Sequence, residues 1–344
     1  MDQKPLYMGY LNLRTGGICK ELCNDGIYLK SIVKENGDAT AFFPTFTSVS
    51  VYDGIEFYGE MKLNLFKRQH PDFERQRENV FRILHSLGIE RAYTTRLLKD
   101  AGLGEIAVAD EDGIYLPRNG HMVLPDSYDL RREDRQFVAN ALMTDKKHIA
   151  IMMYAADCPT AFMRDRVTGA ICVLHSMWRG MVVNEDGPKL TSIVEKAVEG
   201  MGDTYGTNPE DLDVTIFPCI GVEQYVVKGD VINLFEIRGL DTHIYEDDKK
   251  EKHLDLTGAM IELFQRSGVL RESIETTRFR TADYGFNSLR MAPTSYIGEP
   301  GMTGYELPET VADTNHEIVL TPSDELEKTK VRPSALNFLI ALRR

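Results

Sequence analysis

Two apolar runs decide the architecture of this chain, and both lie within residues 148–180, HIAIMMYAADCPTAFMRDRVTGAICVLHSMWRG. The runs over 148–156 and 169–174 contain almost no charged residues, which is typical of β-strands that are covered on both faces. Residues that can do chemistry follow each run, Cys158 after the first and His175 after the second. The pattern therefore predicts buried strands with reactive side chains near their ends.

The rest of the chain predicts further helices and strands around this centre. Apolar residues at helical spacing predict amphipathic helices over 71–87, 188–201 and 256–266. Further strands are predicted over 6–13, 42–52, 61–66 and 213–217, and the apolar residues 335–342 are predicted to form a further core element. From 291 to 332, prolines and acidic residues interrupt any period, so this segment is interpreted as an irregular insertion in a single domain over 1–344.

The composition argues against several classes of function. The chain has 40 Lys and Arg against 53 Asp and Glu, and its net charge of -13 opposes binding to nucleic acid or to an anionic membrane surface. No apolar run approaches the roughly 20 residues that a helix needs to cross a bilayer. The five cysteines form no repeating framework, which favours the reducing cytoplasm over a disulfide-stapled secreted domain. An anionic substrate would therefore need a local basic pocket.

Cys158 and His175 form the centre of the predicted site. If the two apolar runs are neighbouring strands, these side chains lie at the same end of one sheet. His121, which apolar residues flank on a predicted strand and turn, offers a third ligand. One cysteine and two histidines with a fourth position open are a donor set for a catalytic zinc ion.

Simpler interpretations of the same residues remain open. A cysteine after an apolar strand is most often a small buried hydrophobic residue, and a histidine is most often hydrogen-bonded without a metal. Cys172 and Cys219 lie in or beside apolar runs and are assigned to the core.

Several segments, taken in order, resemble motifs of the bacterial polyphenol-oxidase or laccase-domain family, which also includes purine nucleoside phosphorylases and a peptidoglycan editing factor. The family's Ala-Asp-Cys and His-Ala-Gly-Trp-Arg-Gly motifs are similar to residues 156–158 and 175–180. Other similar segments are Leu13-Arg14-Thr15-Gly16-Gly17, Leu63-Asn64-Leu65, Asn140-Ala141-Leu142-Met143-Thr144-Asp145 and Pro218-Cys219-Ile220-Gly221. The resemblance extends through nearly the whole chain.

The resemblance implies both a fold and an activity. The implied fold is of the α+β class, with mixed β-sheets and flanking helices in an α/β/β/α arrangement. The implied cofactor is a zinc ion held by His121, Cys158 and His175. The implied reaction is phosphorolysis of purine nucleosides such as adenosine, inosine or methylthioadenosine, with adenosine deamination at the same metal.

Other residues receive roles from the same resemblance. Phosphorolysis needs a positively charged cradle for phosphate, which Arg14, Arg179 and Arg290 are expected to supply. Asn64 is expected to bind substrate with them. Asp157 is expected to act beside Cys158 and His175 in the catalytic centre, where it orients a ligand or moves a proton.

Three alternatives stay open at this point. Copper oxidation fits two histidines and one cysteine, but a multicopper centre needs many histidine ligands and the chain has 8 histidines without a His-x-His pair. A metal-free hydrolase or amidase acting on a cell-wall precursor would use Cys158 as nucleophile and His175 as base. A non-enzymatic role, with partner binding by residues 291–332, is the third.

Overall fold

The structure is a computed structural model of the 344-residue chain. The backbone is described for residues 6–8, 19–24, 27–44, 49–52, 55–58, 89, 91–95, 104–111, 113–116, 122–123, 139–155, 157–182, 191–277, 281, 305–306, 321–322 and 337–343. Side chains are described for residues 34–43, 89, 91–95, 104–111, 113–116, 139–153, 155, 157–182, 191–277, 281 and 339–343.

The described residues form 21 strands and four α-helices. In chain order, the strands are β1 (Leu6–Met8), β2 (Cys19–Asn24), β3 (Ile27–Asn36), β4 (Ala39–Pro44), β5 (Val49–Tyr52), β6 (Ile55–Tyr58), β7 (Arg91–Thr94), β8 (Ile106–Asp110), β9 (Gly113–Tyr115), β10 (Met122–Val123), β11 (Ala141–Thr144), β12 (Ile149–Ala155), β13 (Thr160–Asp165), β14 (Ile171–His175), β15 (Leu212–Ile216), β16 (Ile244–Glu246), β17 (Lys252–Leu254), β18 (Ile274–Thr276), β19 (Tyr305–Glu306), β20 (Thr321–Pro322) and β21 (Asn337–Arg343). The helices are α1 (Trp178–Val182), α2 (Ile193–Tyr205), α3 (Asp230–Ile237) and α4 (Leu256–Arg266).

Two large mixed sheets dominate the fold. The first has nine strands, in the order β1-β2-β3-β4-β21-β12-β7 with β5 and β6 paired at its side. The second has eight strands, in the order β10-β9-β8-β11-β14-β13-β15-β18. Most pairs are antiparallel, but β7 with β12, β8 with β11 and β15 with β18 are parallel. This mixture confirms the predicted α+β fold class.

The second sheet is buried on both faces, which explains the apolar run that forms β14. One face packs on the first sheet, where Leu142, Phe162 and Val173 share a core with Phe43 and Ile151. The opposite face packs on the helices. There the core contains Met143, Cys172 and Leu174 of the sheet together with Val194 of α2 and Met260 of α4. Because successive side chains of a strand alternate between faces, each strand contributes to both cores.

Local signals define the two longest helices. Ser192 caps α2, since its hydroxyl accepts from the Glu195 backbone N–H while the Glu195 carboxylate accepts from the Ser192 N–H. This capping box places the start of the helix at residue 193, five residues later than the predicted 188. Helix α4, capped by Asp255, spans the predicted 256–266.

The two apolar runs are not neighbouring strands, and that assumption was wrong. The first run is β12 of the nine-stranded sheet and the second is β14 of the eight-stranded sheet. Strand β13, which lies between them in sequence, pairs with β14 instead. Asp165 stabilises the hairpin turn because its carboxylate accepts from the N–H groups of Val167 and Thr168.

Other predictions had different outcomes. The strand predicted over 213–217 corresponds to β15, and the core element predicted over 335–342 is strand β21. The predicted helix over 71–87 and strand over 61–66 lie outside the described residues. So does most of 291–332, in which β19 pairs with β20. None of the helices in the described part of the chain is both long and apolar enough to span a membrane.

Candidate functional site

Three polar residues form a row across the end of the second sheet. His175, the last residue of β14, lies opposite Thr160, the first residue of β13. On its other side, the His175 N–H donates to the carbonyl of Asn140 at 2.8 Å, just before β11. The side chains of the next row, Ala141 and Leu174, face the helices. Because successive side chains of a strand point to opposite faces of the sheet, the row that contains His175 faces the first sheet.

Cys158 reaches the same end of the sheet by a different path. Residues 157–159 connect β12 of the first sheet to β13 of the second. The Ser176 N–H, directly after His175, donates to the carbonyl of Pro159 at 3.0 Å. Cys158 directly precedes Pro159, and His175 directly precedes Ser176, so each lies next to one residue of this hydrogen-bonded pair. Their backbones therefore lie at the same end of the second sheet, where the β13–β14 hairpin places them, while the joint role of the thiol and the imidazole stays a prediction.

The two ligand candidates differ in exposure. Cys158 is half-buried and reduced. His175 is 4% exposed, and burial lowers the pKa of its imidazole to about 4, so the ring is neutral at pH 7. Its Nδ1 atom is buried and has no hydrogen-bond partner among the described residues. A buried nitrogen left without a partner is costly unless a ligand completes it, so His175 fits a metal-binding role.

Asp157 is fixed by contacts from two distant segments. Its carboxylate accepts from the Thr281 hydroxyl at 2.8 Å, and its carbonyl accepts from the Ile220 N–H at 2.8 Å. Asp157 is 8% exposed and Thr281 is fully buried. These contacts hold the backbone on which Cys158 lies. Thr281 lies 124 residues from Asp157 in a segment without a motif, so its role was not predicted from the sequence.

Arg179 lies on α1, the short helix that begins three residues after His175. Its guanidinium group lies 5.1 Å from the centre of the Trp178 ring, and both side chains are half-buried. A cation over an aromatic face is stabilised by the ring's negative quadrupole. The structure therefore places one predicted phosphate-binding arginine within one helical turn of the end of β14.

The remaining predicted site residues lie outside the described residues: His121, Arg14, Asn64 and Arg290. They stay predictions. The assignment of Cys172 and Cys219 to the core is confirmed, since their exposed fractions are 0% and 2%. Burial also raises the pKa of the Cys172 thiol to about 12, so this thiol is unreactive at neutral pH.

A second group of metal-capable side chains lies on another part of the chain. The ligand atoms of Asp247, Glu251 and His253 all lie within 4.8 Å of one another on the β16–β17 hairpin. No motif in the sequence predicted this group. Its geometry is compatible with a metal ion.

Proteins of known sequence resemble this chain over part of its length. Over 199 residues the chain is 26% identical to the purine nucleoside phosphorylase of Bacteroides thetaiotaomicron, a match that covers 56% of this chain and 71% of that protein. It is also 32% identical over 130 residues to the purine nucleoside phosphorylase of Deinococcus radiodurans. That match covers 38% of this chain and 47% of that protein. The aligned part thus spans less than half of the Deinococcus protein.

A solved structure and a family model extend the comparison. The crystal structure of the hypothetical protein YfiH from Bacillus licheniformis superimposes with a TM-score of 0.61 at 17% identity, covering 92% of this chain and 96% of that one. At this identity the likeness shows the fold alone. A family model described as multi-copper polyphenol oxidoreductase laccase matches residues 60–298, more than half of the chain. The chain therefore belongs to the multi-copper polyphenol oxidoreductase laccase family.

Proposed function

We propose that this chain is a zinc-dependent purine nucleoside phosphorylase, which uses phosphate to convert adenosine, inosine or methylthioadenosine into the free base and ribose 1-phosphate. One observation carries the proposal: residues 157–159 bring the backbone of Cys158 to the end of β14, where the buried imidazole of His175 has a nitrogen without a hydrogen-bond partner among the described residues. The relatives named purine nucleoside phosphorylase support this choice of reaction. Adenosine deamination is proposed as a second activity of the same centre.

The described residues fit a zinc ion. A thiol and a neutral imidazole are preferred zinc ligands, and the unpartnered Nδ1 of His175 leaves that ring with an unused polar atom. Cys158 and His175 would hold the ion together with His121. A zinc ion bound there would supply a Lewis acid that stabilises negative charge during the reaction.

The chain's own residues position this centre. Asp157 is a fixed carboxylate next to Cys158, because Thr281 donates to one of its oxygens. We assign it the role of orienting a ligand or substrate group. Arg179, held against Trp178, is assigned to the phosphate together with Arg14 and Arg290, and Asn64 is assigned to the nucleoside. These cations would provide the local positive charge that a chain of net charge -13 needs to bind phosphate.

Metal analysis combined with turnover tests the proposal. The purified protein is assayed with inosine, adenosine and methylthioadenosine, with and without phosphate, while free base and ammonia are followed. We expect zinc in the protein and base release that requires phosphate; ammonia from adenosine would report the deaminase activity. The absence of base release from all three nucleosides, in protein that contains zinc, would overturn the proposal. The elemental analysis also distinguishes zinc from copper.

Replacing Arg179 with Ala should weaken phosphate binding. The loss of a charge-assisted contact is expected to raise the KM for phosphate about 10- to 100-fold, with a smaller effect on the KM for inosine. Arg179→Lys, which keeps the charge but not the planar group, should lie between wild type and Ala. Steady-state kinetics at saturating inosine measure the effect.

The matched control for Arg179 is Arg166→Ala. Arg166 lies on the β13–β14 turn, at the far end of the hairpin from His175, and pairs with Asp213. Its replacement should leave both KM values unchanged. If Arg179→Ala behaves like Arg166→Ala, Arg179 does not bind phosphate.

The cysteine hydrolase alternative fits the site less well. A nucleophilic Cys158 would need His175 to take up its proton, and an imidazole with a pKa of about 4 is a weak base at neutral pH. The same burial suits a neutral metal ligand. The observed environment of His175 therefore favours metal ligation.

A further inference from the structure

The β16–β17 hairpin gathers three potential metal ligands at its turn. Asp247 directly follows β16, Glu251 directly precedes β17, and His253 lies within β17. One ligand atom from each of these side chains lies within 4.8 Å of the other two. The hairpin belongs to neither of the large sheets, so this group is separate from the Cys158 and His175 site.

The ring of His253 is oriented by a backbone carbonyl. Its Nδ1 lies 3.0 Å from the carbonyl oxygen of Val222, which can only accept, so Nδ1 carries a hydrogen and donates it. In the neutral ring Nε2 then presents a lone pair. This arrangement, with one ring nitrogen bound to a carbonyl and the other left for a ligand, is the usual one in metal-binding histidines.

The other nitrogen of His253 faces the carboxylate of Asp247, with which a protonated ring would form an ion pair. His253 is 9% exposed, and its Nε2 is buried without a hydrogen bond among the described residues. The nearest polar atom identified is Asp247 Oδ2 at 3.4 Å. The nitrogen therefore points into the group formed with the two carboxylates. A lone pair that faces a carboxylate oxygen is repelled unless a cation or a proton lies between them.

The distance between Nε2 and the Asp247 carboxylate can be compared with that of a hydrogen bond and with that of two ligands sharing one metal ion. A charge-assisted N–H···O bond is about 2.7–2.9 Å long. Two ligands that bind one tetrahedral zinc ion at about 2.0–2.1 Å lie about 3.3–3.4 Å apart. The separation of 3.4 Å between Nε2 and Oδ2 lies in the range of two ligands of one zinc ion, and also in that of a loose ion pair between a protonated imidazole and a carboxylate. Asp247 is held in this position by its other oxygen, which accepts from the N–H groups of Lys249 and Glu251.

We propose that Asp247, Glu251 and His253 form a second zinc-binding site on the β16–β17 hairpin. One imidazole nitrogen and two carboxylate oxygens make up the protein ligands, and a fourth position is left for water or another ligand. The proposal does not depend on the proposed phosphorylase activity.

A cation bound on the β16–β17 hairpin would also stabilise the segment over 220–227, which reaches Asp157. His253 contacts Val222, and the N–H groups of Leu254 and Val227 donate to the carbonyls of Tyr225 and Lys252. The same segment begins at Ile220, whose N–H donates to Asp157. A cation that orders the hairpin would thus fix one end of the segment that holds Asp157.

Equilibrium dialysis of the full-length protein against buffered zinc ions tests the proposal. The measurement uses Cys158→Ala protein, so that zinc at the first site does not contribute, and compares it with the same protein carrying Glu251→Gln or His253→Gln. We expect one zinc ion per chain in the parent and an affinity lowered roughly 10-fold or more in each derivative. Glu246→Gln is the matched control, since Glu246 pairs with Lys250 on the same hairpin, and it should bind zinc like the parent.

Nitrogen-15 NMR of histidine-labelled protein provides the second readout. Zinc should shift the Nε2 resonance of His253 in the parent and in Glu246→Gln protein. Glu251 lies on the turn, so its replacement should leave the fold intact even if His253→Gln does not fold. Equal zinc binding by the parent and Glu251→Gln, or a protonated Nε2 at pH 7.5 that zinc does not change, would overturn the proposal in favour of a simple ion pair.

Discussion

Cys158→Ala is expected to lose the zinc ion of the Cys158 and His175 site and to lower kcat/KM for inosine phosphorolysis by ~10³-fold or more. The thiolate is the strongest zinc ligand of the predicted set, and alanine supplies no donor atom. The hydrogen bonds that hold the local backbone, from Ser176 to Pro159 and from Ile220 to Asp157, involve other residues. The fold should therefore survive, and circular dichroism should show this.

The matched control is Cys172→Ala, which replaces a cysteine of strand β14. Cys172 is fully buried on the face of β14 that packs against the helices, away from the row that contains His175. Its replacement should cost stability through a small cavity and leave zinc and turnover close to wild type. A Cys158→Ala protein that keeps the zinc of this site and full turnover would contradict the proposed function.

The sequence predicted Cys158 and His175 at the same end of a sheet, but it did not predict the topology that places their backbones there. The two apolar runs correctly marked buried strands, because burial on both faces leaves a local signal in the sequence. Whether two such strands share a sheet or face each other leaves no local signal. Strand β13 was overlooked because Arg164 and Asp165 interrupt its apolar pattern. Both have partners: Arg164 pairs with Asp38, and Asp165 caps the hairpin turn.

The helix boundaries show which local signals were sufficient. For α4, the apolar period, the Asp255 cap and the following Gly268 all agree, and the prediction matched the structure. For α2, the spacing of apolar residues continues upstream of residue 193, where the helix begins. The pattern Ser192-x-x-Glu195 is a capping box and was available in the sequence. Its use would have corrected the boundary.

Contacts between distant segments could not be predicted in the same way. The hydrogen bond from Thr281 to Asp157 depends on how β15 and the residues after β18 approach the 157–159 crossing. The Asp247, Glu251 and His253 group was missed for another reason. Its carboxylates alternate with lysines, so the segment resembles an ordinary solvated run of charges. Only the hairpin turn brings the three side chains to one point.

The second large effect is expected at the interface between the two sheets, where Phe217→Ala should lower the free energy of unfolding by about 3–5 kcal/mol. Phe217 follows β15 of the second sheet, and its ring stacks on Phe43 of β4 in the first sheet with centroids 5.4 Å apart. Both rings are almost completely buried. Alanine would leave a cavity between the sheets that rigid strands cannot close, and urea denaturation measures the loss.

Two further variants separate the ring contact from nonspecific effects. Phe217→Leu fills most of the cavity and should cost less than Phe217→Ala, while Val167→Ala, at a 75% exposed turn position, should change stability by less than about 0.5 kcal/mol. The Phe217 N–H also donates to the carbonyl of Thr160, the partner of His175, so the cavity would lie next to the proposed zinc site. Weaker zinc binding by folded Phe217→Ala protein would then show that packing between the sheets positions His175. A Phe217→Ala protein as stable as Val167→Ala would contradict the sheet packing itself.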